Sequence, residues 1–183
     1  MRLFIGLPIP AQLAQTLARA ARATNLPNAR WTPPENMHLT LVFLGEVADS
    51  EARLPAILHE LDGLHLTPIR LRLTHLDTFP RAGVLFAEIQ PTPTLLHLQS
   101  EVATRMARCG FPPPPDSKDE RPYHPHLTLA RLRSPVRLKS HQTTLPASVL
   151  QPFVADTVNL YRSHSAPAGV RYEVLASKAA TEE

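Results

Sequence analysis

The sequence is short of the residues that mark several large protein classes. A single cysteine, Cys109, excludes an internal disulfide framework and any zinc cluster built on thiolates. Glycine is scarce, with six residues, and aromatic residues make up only 5%. A platform of stacked aromatic rings for nucleic acid is therefore poorly supplied. No apolar run approaches the roughly 18 residues of a membrane span. Acidic residues are missing from the first 34 positions, which carry Arg2, Arg19, Arg22 and Arg30 before Glu35 appears. A transit peptide can begin this way. The stretch RLFIGL at 2–7, however, reads as a strand, and Pro8 and Pro10 cut the apolar segment too short for a secretory signal. A cytoplasmic protein is expected.

What is present suits one folded domain. The chain has 183 residues, 43% apolar and 19% charged, enough to bury a core and unlike a disordered or coiled-coil chain. The net charge of +3 is a mild bias toward anionic partners. Twenty prolines are many, and four of them form a run in FPPPPDSKDERP, 111–122, expected as an exposed, extended loop.

Periodicity predicts the elements. Strands are expected at 2–7, 37–45, 70–79, 83–89, 124–132, 153–161 and 170–176. Helices are expected at 11–24, at 54–62 with Gly63 as stop, and at 94–109 with Gly110 as stop. Pro55 fits its helix only in a first turn, and the tail from Lys178 is expected to fray. The order strand, helix, strand occurs twice, and each unit closes on the same tetrapeptide, HLTL, at 38–41 and at 126–129. This is the pattern of an internal duplication.

The bare pattern His-x-Thr proves nothing, because about one copy is expected by chance and it recurs at His65 and His141. The full tetrapeptide is expected roughly 0.02 times by chance, and both copies open strands. Alternation puts His38 and Thr40 on one face and Leu39, Leu41 and Phe43 on the core face. His126 and Thr128 repeat the arrangement. Two imidazoles that titrate near neutrality can serve as base and acid, and hydroxyls can hold anionic oxygens. That set suits hydrolysis of a phosphodiester, a cyclic phosphate above all, and the scheme requires no cofactor or metal. The two near-identical motifs leave open which histidine is the acid.

These residues resemble the 2H phosphoesterase superfamily. Within it, RLFIGLPIP, RWTPPENMHLTLVFLGEV at 30–47, RPYHPHLTLAR at 121–131 and VNLYRSH at 158–164 are similar to the RNA 2′,3′-cyclic phosphodiesterases, also called 2′-5′ RNA ligases. The resemblance implies an α+β fold over residues 1–183. Two duplicated, pseudo-symmetric lobes form it, with antiparallel sheets lining a central cleft and helices outside. It implies hydrolysis of RNA 2′,3′-cyclic phosphate ends to 2′-phosphomonoesters, with 2′-5′ ligation as the reverse chemistry. It implies His38 as proton donor to O3′, His126 as proton acceptor from water, Thr40 and Thr128 as phosphate holders, and Arg131 as a phosphate-neutralising group. The implied partner is RNA ending in a cyclic phosphate, with a monomer expected and no obligate protein partner.

Some residues stay ambiguous. By alternation Arg131 faces away from His126 unless the strand bulges. His124 is expected on the rim beside His126. Phe4 and Trp31 are expected to pack, Tyr123 can stack a base, and Arg19, Arg22 and Arg30 are expected on solvated faces. Three other readings remain. One is a zinc hydrolase using His124, His126 and His38, and a second is a non-catalytic RNA-binding module. Another 2H branch, acting on small cyclic nucleotides, is the third.

Overall fold

The computed structural model describes residues 1–112, 122–167 and 169–181. The proline-rich segment lies almost wholly outside the described residues. An antiparallel sheet of eight strands forms the centre. Across it run β10 (Gly169–Ala179), β9 (Thr157–Ala166), β1 (Arg2–Pro8), β3 (His38–Glu46), β7 (His126–Leu132), β6 (Val84–Ile89) and β5 (Leu73–Phe79). The short β2 (Ala29–Trp31) pairs with the far end of β7. A separate ribbon joins β4 (Ile69–Leu71) to β8 (Phe153–Ala155). The expected strands 70–79 and 153–161 are therefore each split between two sheets.

The two HLTL strands are neighbours. A single residue pair, Leu39 with Leu127, bridges β3 and β7. That seam joins one group of strands, β10-β9-β1-β3, to the other, β7-β6-β5.

One face of the sheet is the core. Leu3, Ile5 and Leu7 of β1, Leu39 and Leu41 of β3, Leu127 and Leu129 of β7, and Leu85, Ala87 and Ile89 of β6 are all buried there. Burying a leucine side chain contributes about 1.5–3 kcal/mol. Three helices join this core: α1 (Ala11–Arg22) through Ala14, Leu17 and Ala21, α2 (Ser50–Asp62) through Ile57 and Leu61, and α3 (Pro93–Arg108) through Leu95, Leu98, Val102 and Met106. Thr92 caps α3 by accepting from the Leu95 N–H, and Gly110, with φ +83°, lets the chain turn back so that the Phe111 N–H reaches the Met106 carbonyl.

Two local expectations change. α2 starts four residues earlier than its apolar pattern, so Pro55 lies inside the helix rather than in its first turn. The proline forfeits one hydrogen bond there, and the helix keeps its place by burying Ile57 and Leu61. The tail does not fray at Lys178. β10 runs to Ala179, the Ala180 N–H donates to the Asp156 carbonyl, and the Thr181 N–H donates to the Leu66 carbonyl.

Candidate active site

The other face of the sheet carries the polar residues. His38, Thr40, His126 and Thr128 all lie on it, each half-buried. Continuing the Leu39–Leu127 register sets His38 toward Thr128 and Thr40 toward His126, so the imidazoles lie on a diagonal across the seam.

Both rings are held in the same way. The Nδ1–H of His38 donates to the carbonyl of Asn36 at 2.7 Å, and the Nδ1–H of His126 donates to the carbonyl of His124 at 2.7 Å. A carbonyl only accepts, so each Nδ1 carries the proton and each neutral ring leaves Nε2 as its basic atom. In each copy the anchor is the residue two positions before the histidine. The Thr40 hydroxyl lies 3.1 Å from His38 Nε2.

The two environments differ. Phe4 stacks on His38 with ring centroids 4.6 Å apart, and Tyr172 meets it edge-on at 5.0 Å. The β9–β10 hairpin curls over the polar face to do this, held where the Asn36 side-chain amide donates to the Val170 carbonyl at 2.6 Å. Burial pushes His38 down from 6.5 to about 4, with a smaller push from the His126 charge. His126, packed edge-on against Phe79 and Phe86, is also lowered, first by burial and then by the nearby charges of His124 and Arg131. Both rings are thus neutral in the unliganded protein at pH 7.

Arg131 lies on this face because its strand bulges. Against β6, Thr128 pairs with Phe86 and Ala130 with Leu85, which leaves Leu129 as an extra residue. The slip reverses the alternation, so Ala130 turns to the core and Arg131 pairs with Val84 on the face of His126. The first copy slips at the equivalent residue. Against β1, Gly6 pairs with Thr40 and Ile5 with Val42, leaving Leu41 as the extra residue. Phe43, expected in the core, is turned to the polar face beside Phe4 and is 71% exposed. Each HLTL strand therefore presents three residues on the polar face: histidine, threonine, and the residue five after the histidine. In the first copy that residue is a phenyl ring and in the second a guanidinium. Strict alternation cannot find either one, since the bulge lies in the pairing and not in the residue pattern.

The remaining candidates separate. His124 lies on the rim, 45% exposed, with Nε2 3.3 Å from Glu88. Tyr123 donates its hydroxyl to the Thr40 carbonyl at 2.7 Å, so it ties the segment before β7 to β3 instead of offering a face for stacking. Phe4 is buried but against His38, not in the main core. Trp31 packs on the core side with Arg22 over its ring. Arg19 stays on exposed α1, bonded to Thr16. Arg30 is different, and lies on the polar face of the sheet opposite Arg131. Among the described residues no three His, Cys, Asp or Glu side chains converge as a metal-holding group, so the three-histidine zinc arrangement is not assembled. No helix among them is long and apolar enough to cross a membrane.

The family model described as the 2′-5′ RNA ligase superfamily matches residues 9–167. The chain belongs to that superfamily. An RNA 2′,3′-cyclic phosphodiesterase of Methanocaldococcus jannaschii is 30% identical over 181 residues, covering 96% of this chain and 98% of that protein. One of Bacillus subtilis is 33% identical over 137 residues, 70% of this chain and 69% of its own. The crystal structure of Escherichia coli LigT complexed with 3′-AMP superposes with a TM-score of 0.80 at 27% identity, covering 99% of this chain and 98% of that one. This superfamily member therefore shares the α+β architecture along essentially its whole length.

Proposed function

We propose that the protein is an RNA 2′,3′-cyclic phosphodiesterase that opens a terminal cyclic phosphate to a 2′-phosphomonoester. One observation carries the reading. Two imidazoles, each fixed by a backbone carbonyl so that Nε2 is its free atom, share one face with two threonines and an arginine. The similarity to phosphodiesterases named for this substrate supports it.

In the proposed reaction His126 Nε2 takes a proton from water as the water oxygen bonds to phosphorus. The P–O3′ bond breaks, and His38 Nε2–H gives its proton to O3′. The products are a 2′-phosphate and a free 3′-hydroxyl. The Arg131 guanidinium and the Thr40 and Thr128 hydroxyls hold the phosphate oxygens as charge builds on them. His38 is neutral in the free protein, and its burial makes it a weak base. An anionic phosphate against Nε2 favours the protonated ring, so the acid form is assembled with the substrate. Phe43 offers its exposed face to the terminal base. With an RNA 5′-hydroxyl in place of water the same steps run toward a 2′-5′ linkage. A monomer without an obligate protein partner is part of this reading. The reading of 1–183 as one two-lobed domain, and a cytoplasmic setting, belong to the same proposal.

The test is product identity. Purified protein with EDTA is incubated with a short RNA ending in a 2′,3′-cyclic phosphate. The expected product is sensitive to phosphatase and co-migrates on chromatography with a synthetic 2′-phosphate RNA and not with its 3′-phosphate isomer. An unchanged RNA, or a 3′-phosphate product, refutes the proposal.

A further inference from the structure

Arg30 and Arg131 are direct cross-strand partners of β2 and β7, and both residues are exposed on the polar face that carries His126. Their neighbours confirm the shared side. Ala29 and Trp31 pack toward the core, as do their partners Leu132 and Ala130. Like charges directly opposite on a strand pair, with Cβ atoms about 5 Å apart, destabilise a sheet. Among the described residues neither arginine is in an ion pair. The start of β10 also leaves room for Arg30. Gly169 has φ +132°, and a Cβ there would lie 3.3 Å from the Arg30 guanidinium. A single phosphodiester carries one negative charge, which Arg131 already meets beside His126.

We propose that Arg30 forms a second anion subsite that takes a phosphodiester neighbouring the reacting cyclic phosphate, so that the enzyme favours oligonucleotide over mononucleotide ends. The inference rests on the cyclic-phosphodiesterase reading. The second phosphate has two possible sources with the same chemistry. It is either the linkage 5′ to the terminal nucleoside or a linkage in an incoming 5′-hydroxyl strand.

The experiment compares wild type with Arg30→Ala and Arg30→Lys on three assays. They are hydrolysis of a nucleoside 2′,3′-cyclic phosphate, hydrolysis of a dinucleotide ending in the same group, and ligation of the dinucleotide to a 5′-hydroxyl oligonucleotide. The mononucleotide has no second phosphate and serves as the internal control. Arg30→Ala is expected to lower kcat/KM about ten-fold on the dinucleotide or in ligation while mononucleotide turnover stays within two-fold. The log–log salt slope for the affected substrate should fall by about 0.7, and Arg30→Lys should restore most of the rate. Loss shared by dinucleotide hydrolysis and ligation assigns the subsite to the substrate strand, and loss confined to ligation assigns it to the incoming strand. Equal losses on all three substrates, or no loss on any, overturn the inference. If wild type hydrolyses none of them, the underlying functional reading fails instead. The melting temperature of Arg30→Ala should equal or exceed that of wild type, because the substitution removes a like-charge pair.

Discussion

His38 makes the native state sensitive to acid, by an amount its surroundings define. The ring is enclosed by Phe4, Tyr161 and Tyr172, and burial pushes it from 6.5 down to about 4. In the unfolded chain the same ring protonates near 6.5. Between those values the unfolded state binds more protons, so stability is full above pH 6.5 and falls as pH drops toward 4. From pH 8 to pH 5 this one group removes about 2 kcal/mol, and about 3 kcal/mol once pH is below 4. In His38→Gln that contribution is absent, while the amide can still donate to the Asn36 carbonyl. The assay is urea unfolding of both proteins at pH 8 and pH 5. Wild type should lose about 2 kcal/mol more than the variant, since the other histidines contribute equally to both. Equal losses would refute the enclosure of His38 as the cause.

Three further substitutions probe the face itself. Arg131→Ala should lower kcat on an RNA cyclic phosphate by about 10²–10³-fold, the cost of one donor to a developing oxyanion, and Arg131→Lys should recover little because lysine lacks the planar fork. Phe43→Ala should raise KM about ten-fold in steady-state assays and leave the melting temperature unchanged, since the ring is exposed in the free protein. Gly6→Ala brings a Cβ within 2.7 Å of the Leu39 carbonyl oxygen, a backbone atom of the strand that carries His38 and Thr40. Denaturant unfolding should show a loss of about 1–3 kcal/mol, and kcat should fall with it.

Much of the site could be read from the sequence, because a repeated tetrapeptide on strands fixes which side chains share a face. Histidine and threonine two apart met that expectation in both copies. Phe43 did not, and the place of Arg131 could not be decided, because both depend on the extra residues Leu41 and Leu129. A bulge is a property of strand pairing, and a single strand's pattern carries no sign of it. The place of Arg30 was missed for a related reason, since a three-residue strand has too little pattern to reveal its partner. The β9–β10 hairpin that encloses His38 was likewise invisible. Its two strands were expected, but their curl over the polar face depends on the Asn36–Val170 contact, between residues 134 apart in the chain. At Pro55 local propensity argued against a longer helix, and burial of Ile57 and Leu61 prevailed.

The central claim is that His38 and His126 act as one acid/base pair. The most direct measurement is single-turnover hydrolysis of an RNA 2′,3′-cyclic phosphate by His38→Ala, His126→Ala and the double variant. Each single change should cost about 10²–10⁴-fold. The double variant should be no worse than the poorer single one, as expected for groups that work as a unit. Near wild-type activity in either single variant, or losses that multiply in the double, would contradict it.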